Sequence, residues 1–170
     1  MALDDLQSLL IHNLQDMYSA EEQALEAMPK VAEAISNKKL RAIVDKHLKE
    51  THKQKDRVAK AIESLGETPG GETCKAMAGL VKEMNSFLKE KAEPEVLDAG
   101  IVVLLQKIEH YEIAGYGSCA TFAEILGKRK AYDLICDILD EEESADKKLT
   151  RAAKAHLNEA ARDQSDGTVH

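Results

Sequence analysis

Leu105-Gln-Lys-Ile-Glu109-His-Tyr-Glu112-Ile-Ala-Gly-Tyr116 is the stretch whose reading decides the fold. At helical spacing Leu105, Glu109, Glu112 and Tyr116 share one face. Directly before them runs Ile101-Val-Val-Leu-Leu105, the longest purely aliphatic run of the chain, so that face belongs in a core. A bare carboxylate in a helical core is costly, and several together repel one another. Either a bound cation or an acidic, hydrated centre must compensate.

Outward from this stretch, apolar residues recur at helical spacing almost everywhere. Leu6, Leu10, Leu14, Met17, Ala24, Met28, Val31 and Ile35 make residues 3–36 one amphipathic helix, with a kink expected at Pro29. Asn37 is the turn and cap residue. Leu40, Ile43, Val44, Val58, Ala61, Ile62 and Leu65 give a second helix, ended by Gly66. Residues 67–73 are helix breakers, and a short amphipathic segment follows from Met77 to Leu88. Glu93-Pro94 starts a third long helix, about Glu95 to Leu126, which Gly127 ends; a fourth runs from Lys128 to about Ala160. The expected architecture is all-α, a four-helix bundle with one long crossover containing a short extra helix. Residues 1–161 read as a single domain and 162–170 as a polar C-terminal tail.

Composition agrees. The chain of 170 residues has no Trp, 4% aromatics and three prolines, which is helix-bundle material. A formal charge of −8 argues against nonspecific nucleic-acid binding and suits a protein that attracts cations. Met1-Ala-Leu-Asp-Asp shows no secretory leader, and no apolar run is long enough to span a bilayer. Cys74, Cys119 and Cys136 form no CxxC pair, so reduced thiols in a cytoplasmic protein are expected, with Cys74 the one to test for reactivity.

Glu21, Glu50, Glu109 and Glu142 each fall where a helix calls for an apolar residue. Glu21 continues the Leu10–Leu14–Met17 stripe. On the second helix Ile43, His47, Glu50, Gln54 and Ala61 share a face; on the fourth, Ile135, Leu139, Glu142, Asp146 and Leu149 do. Counted from the turns near Asn37 and Gly127, all these acids lie roughly 20–27 Å along helices of roughly 50 Å, near mid-height. Carboxylates from four helices at one level suit a pair of iron or manganese ions, and the chemistry of such a pair is reaction with O2 or peroxide. Bundles of this kind use two Glu-x-x-His pairs; here Lys53 and Ala145 stand at the imidazole positions, His47 lies one turn before Glu50, and Asp146 stands where an imidazole would be. The alternative is an acidic, water-filled centre with groups protonated or paired to Arg57 or Lys53, in a non-enzymatic interaction protein.

Five segments carry a family resemblance: Leu14-Gln-Asp-Met-Tyr-Ser-Ala-Glu-Glu-Gln, His47-Leu-Lys-Glu-Thr, Cys74-Lys-Ala-Met, Glu109-His-Tyr-Glu-Ile-Ala-Gly-Tyr-Gly and Leu139-Asp-Glu-Glu. Together they resemble the YciE/YciF family of bacterial ferritin-like stress proteins, from the first helix to about Lys154. The resemblance implies a ferritin-like, rubrerythrin-related bundle, often dimeric, induced under stress. It places metal positions on Glu21, Glu50, Glu109, Glu112 and Glu142, with His47 and Asp146 as additions. It leaves the electron donor and the activity open.

Overall fold

The computed structural model describes residues 3–164. These form helices α1 (Leu6–Ala34), α2 (Lys38–Ser64), α3 (Lys75–Phe87), α4 (Pro94–Ile125) and α5 (Arg129–Ala152); a π-helical turn (Ala153–Leu157) leads into α6 (Asn158–Asp163). No strand occurs among the described residues, and no helix among them is long and apolar enough to cross a membrane.

The helix ends follow local chemistry. Asp5 caps α1, accepting from the Ser8 amide at 2.7 Å while Ser8 Oγ accepts from the Asp5 amide. The Asn37 side chain caps α2, accepting from the amides of Lys39 and Leu40. Pro94 occupies the first turn of α4. Gly66 and Gly127 take the left-handed φ that lets the chain leave α2 and α4. α1 continues through Pro29, whose exposed ring faces away from the core.

Four pairs of neighbours close the bundle: α1 with α2, α2 with α5, α5 with α4, and α4 with α1. Direction follows from Asp98. This buried carboxylate near the start of α4 accepts from Ser36 N (2.9 Å), Ser36 Oγ (2.6 Å) and Asn37 N (2.8 Å) at the α1–α2 turn. α4 therefore starts level with that turn and runs beside α1 in the opposite sense. The chain reaches this point from the far end of α2 by climbing α1: Gln15 holds Thr68 and Gly70, Ser19 and Gln23 hold Cys74, and Lys30 meets Asn85. α3 lies within this crossover and packs on α1 and α4. α1 and α4 approach closely where a Cβ on Gly115 would lie 2.4 Å from Met17 Sδ.

The core falls into two apolar halves. One, near the α1–α2 turn, includes Met28, Val31, Leu40, Val44, Ile101, Leu105 and Leu149. The other, towards the Gly127 turn, includes Leu10, Leu14, Val58, Ile62, Cys119, Ile135 and Ile138. A layer of buried polar groups separates them.

The fourth helix differs from its sequence expectation. It is regular only to Ala152; the π-helical turn then rephases it so that Leu149 and Leu157 both point into the core. α6 packs back on α4 and extends to Asp163. Of the expected tail, residues 165–170 lie outside the described residues.

Candidate metal centre

The polar layer holds Glu21 from α1, His47, Thr51 and Gln54 from α2, Glu109 and Glu112 from α4, and Glu142 from α5. The four glutamates are between 0% and 2% exposed. One donor atom from each of His47, Glu109, Glu112 and Glu142 lies within 4.8 Å of all the others, within reach of a single cation. His47 Nε2 is 3.3 Å from Glu109 Oε1 and 3.9 Å from Glu142 Oε2. Glu21 sits beside this group, accepting from the hydroxyl of the fully buried Tyr116.

The other two residues named from sequence lie on its margins. Glu50 is 20% exposed and turned to the Lys46 ammonium. The buried stripe of α2 runs through Val44, His47, Thr51, Gln54 and Val58, which puts Glu50 on the shoulder of the helix rather than at its centre. Asp146 is also 20% exposed; it accepts from Gln106 Nε2 at 2.7 Å and lies 3.4 Å from the exposed His110. Neither interior pairing considered from sequence forms: Lys53 is exposed, and Arg57 binds Glu141 at 2.8 Å.

Electrostatics single out this layer. Burial, with Glu142 as the next cause, pushes the carboxyls of Glu21, Glu109 and Glu112 well above the usual carboxylate range; for Glu21 the Tyr116 hydrogen bond works the other way and the Glu141 charge adds a little. Burial, followed by the Glu21 and Glu112 charges, also raises the Tyr116 phenol. Glu21 Oε2, Glu109 Oε2, Glu112 Oε1, both oxygens of Glu142, His47 Nδ1 and Gln54 Oε1 are buried with no hydrogen-bond partner among the described residues. Asp98, equally buried, has three donors on its two oxygens. One fold thus contains a buried carboxylate whose hydrogen bonds are complete and four with at least one buried oxygen that has no hydrogen-bond partner among the described residues.

Around the centre the seams differ. Met17, Gly115, Tyr111 and Tyr116 close the α1–α4 side. Tyr111 donates to Asp16, so the Cys74 thiol, 2.9 Å away, donates to the Tyr111 oxygen. Cys74 caps α3 through its sulfur, and burial raises its thiol, so the structure makes it a packed, protonated side chain rather than a reactive one. The Cys119 thiol is pushed up to about 12 by burial. Towards the α1–α2 turn, a cavity of about 10 Å³ is lined by His47, Glu109, Ala145 and apolar neighbours such as Met28 and Leu105. It has room for about one water.

Sequence reasoning put Gln54 on the interior face without giving it a task, and it did not single out Glu141 or Asp98. The Gln54 signal was present: it lies two turns from His47 on one stripe. Asp98 carried no such signal, because its partners come from the α1–α2 turn.

A bundle with one helical crossover and a buried carboxylate–imidazole layer at mid-height is the ferritin-like arrangement. The chain belongs to the YciE/YciF family: residues 5–162 match the family described as Domain of unknown function (DUF892). It is 41% identical to Protein YciF of Escherichia coli (strain K12) over 166 residues, covering 97% of this chain and all of that one. The crystal structure of the E. coli stress protein YciF superimposes with a TM-score of 0.87 at 42% identity, covering 91% of this chain and 98% of that chain. YcfI from Rhodopseudomonas palustris, to which a structural role is ascribed, gives 0.84 at 40% identity, covering 87% and 94%. A protein from Xanthomonas campestris pv. campestris shares the fold at 0.78 and 23% identity, covering 95% and 99%.

Proposed function

We propose that this chain is a cytoplasmic, homodimeric stress-response protein whose central carboxylates hold a pair of iron or manganese ions and support reaction with O2 or peroxide. The observation that carries the reading is the set of unpartnered oxygens on Glu21, Glu109, Glu112 and Glu142, with His47 reaching into it. Four ionised carboxylates carry four negative charges, which two divalent cations cancel. A donor set of oxygens with one imidazole suits iron or manganese better than a soft-ligand metal.

The protein's own groups divide the work. Glu109, Glu112, Glu142 and His47 would bind one ion, and Glu21 with the central carboxylates the other. Bound ions of this kind supply electrons to O2 or peroxide. Tyr116 orients Glu21 through its hydroxyl. The two apolar core halves exclude bulk water from above and below. Such chemistry would serve the removal of peroxide or ferrous iron, and the relative's description as a stress protein supports that reading.

The test is metal analysis of protein purified from iron- and manganese-supplemented cells, with spectra recorded on adding ferrous ion and then peroxide. Two ions per chain and oxidation of ferrous ion are expected of the wild type, and their loss from Glu109→Ala. Metal-free protein that leaves ferrous ion unoxidised sinks the reading. That outcome would favour the second one, a non-enzymatic interaction protein, whose support is Ala145 and the exposed Lys53 where imidazoles would complete two Glu-x-x-His pairs.

A further inference from the structure

Gln54 is fully buried, and its two polar atoms are treated differently by the fold. Nε2 donates to Glu141 Oε2 at 3.1 Å, and the same oxygen accepts from Arg57 at 2.8 Å. Arg57 can only donate, so Glu141 Oε2 is an acceptor and the amide must present its NH2 to it. The flip of the side chain is thereby decided by chemistry. Its carbonyl oxygen faces the other way, buried, with no donor among the described residues.

Height places that oxygen. Gln54 follows the Asn37 cap by 17 residues and Glu21 precedes it by 16, so both lie roughly 25 Å below the turn. His47 follows Asn37 by ten residues and Glu109 follows Asp98 by 11, so these two lie higher, roughly 15–16 Å below it. The layer therefore has two tiers. The upper is the His47–Glu109 pair; the lower is Glu21 and Gln54 on the adjacent helices α1 and α2, with Glu112 and Glu142 between the tiers. Glu141, which holds the Gln54 amide, is near enough for its charge to act on Glu21.

Resting on the reading of a two-cation centre, we propose that α2 ligates the lower cation through the Gln54 amide oxygen, beside Glu21, Glu112 and Glu142, and not through Glu50. A neutral oxygen here suits the charge count. Four carboxylates already match two divalent ions, and a fifth would leave an excess negative charge in the core. Glu141 and Arg57 are positioning residues: they hold the amide so that its oxygen, not its nitrogen, faces inward.

Cobalt(II) titration of the metal-free full-length chain, read by visible absorption and calorimetry, tests this. Wild type takes two ions. Gln54→Leu keeps the first ion and weakens the second by about tenfold or more, and Glu141→Ala weakens it in the same direction by releasing the amide. Gln54→Glu, which keeps an oxygen at this position but adds the excess charge and loses the bond to Glu141, binds the second ion more tightly than Gln54→Leu and less tightly than wild type. Glu50→Gln leaves both steps unchanged. Thermal melting of metal-free Gln54→Leu, expected at or above the wild-type midpoint because an unpaired carbonyl is removed, confirms that the bundle is intact. Two unaltered binding steps in Gln54→Leu, or loss of the second ion in Glu50→Gln instead, overturn the assignment and leave the two-cation centre standing. Failure of the wild type to take two ions sinks the centre itself, and the assignment with it.

Discussion

His47 Nε2 lies 3.3 Å from Glu109 Oε1, a contact that joins α2 to α4 across the diagonal of the bundle. The two helices are not neighbours in the bundle, so the contact places both side chains at its axis. The imidazole is the only nitrogen donor in the group, and its Nδ1 has no partner among the described residues. Replacement by glutamine, which keeps a polar side chain of similar reach, should weaken the tighter cobalt(II) step by about tenfold or more. The visible bands of the bound ion should also change, because an oxygen or nitrogen of an amide replaces an imidazole. Unchanged bands would mean that His47 only hydrogen-bonds the carboxylates.

The raised carboxyls make stability depend on pH in a direction that metal reverses. Burial, with Glu142 next, lifts Glu21, Glu109 and Glu112 well above their ordinary 4.5 in the folded chain. Between 4.5 and the raised values the folded state binds more protons than the unfolded one, so stability falls as pH rises. Metal-free protein should therefore melt at a higher temperature near pH 5 than near pH 8. Bound divalent ions compete with those protons, so with excess manganese the trend should invert. Melting curves at several pH values, with chelator and with metal, check both signs. A metal-free midpoint that rises steadily from pH 5 to 8 would contradict the account.

Glu109 and Glu50 should behave differently when made apolar. Glu109→Leu removes a buried, partly unpaired carboxylate, and the metal-free protein should gain about 1–2 kcal/mol in urea unfolding while losing metal. Glu50→Leu breaks only a surface pair with Lys46, so stability should move by about 1 kcal/mol or less and metal binding should be retained. Stabilisation by the first substitution marks a site kept for function; destabilisation would mark a structural network.

Much of this was legible in the chain because helices announce their buried face by period. Glu21, Glu109, Glu112 and Glu142 interrupt apolar stripes, and all four are buried in the polar layer near mid-height, between the two apolar core halves. The breakers around Gly66 and Gly127 set the helix lengths, hence that level. Period alone could not resolve α2, whose interior face is largely polar: His47, Glu50, Thr51 and Gln54 all lie within two turns, and the rotation that buries Gln54 and leaves Glu50 beside Lys46 depends on packing against α1 and α5. The π-helical turn was hidden for a similar reason. It is imposed by the fit of Leu157 against the upper core, not by any breaker in Ala153-Lys-Ala-His-Leu157.

Asp98 supplies the control for the centre, since it is as buried as the glutamates yet purely structural. Its two oxygens receive the Ser36 amide, the Ser36 hydroxyl and the Asn37 amide, tying the start of α4 to the α1–α2 turn. Each hydrogen bond to a charged group contributes about 1.5–3 kcal/mol, and the turn amides can recover part of the loss from water. Asp98→Ala should therefore destabilise the fold by about 2–4 kcal/mol in urea unfolding, the opposite sign from Glu109→Leu. Asp98→Asn should fall between wild type and Asp98→Ala, because its amide oxygen still accepts while its NH2 faces a donor. Cobalt(II) stoichiometry should be unchanged in both variants, as the carboxylate lies roughly 16 Å above Glu109 along α4. Loss of metal without loss of stability would mean that the registration of α4, and not the local set of side chains, limits binding at the centre.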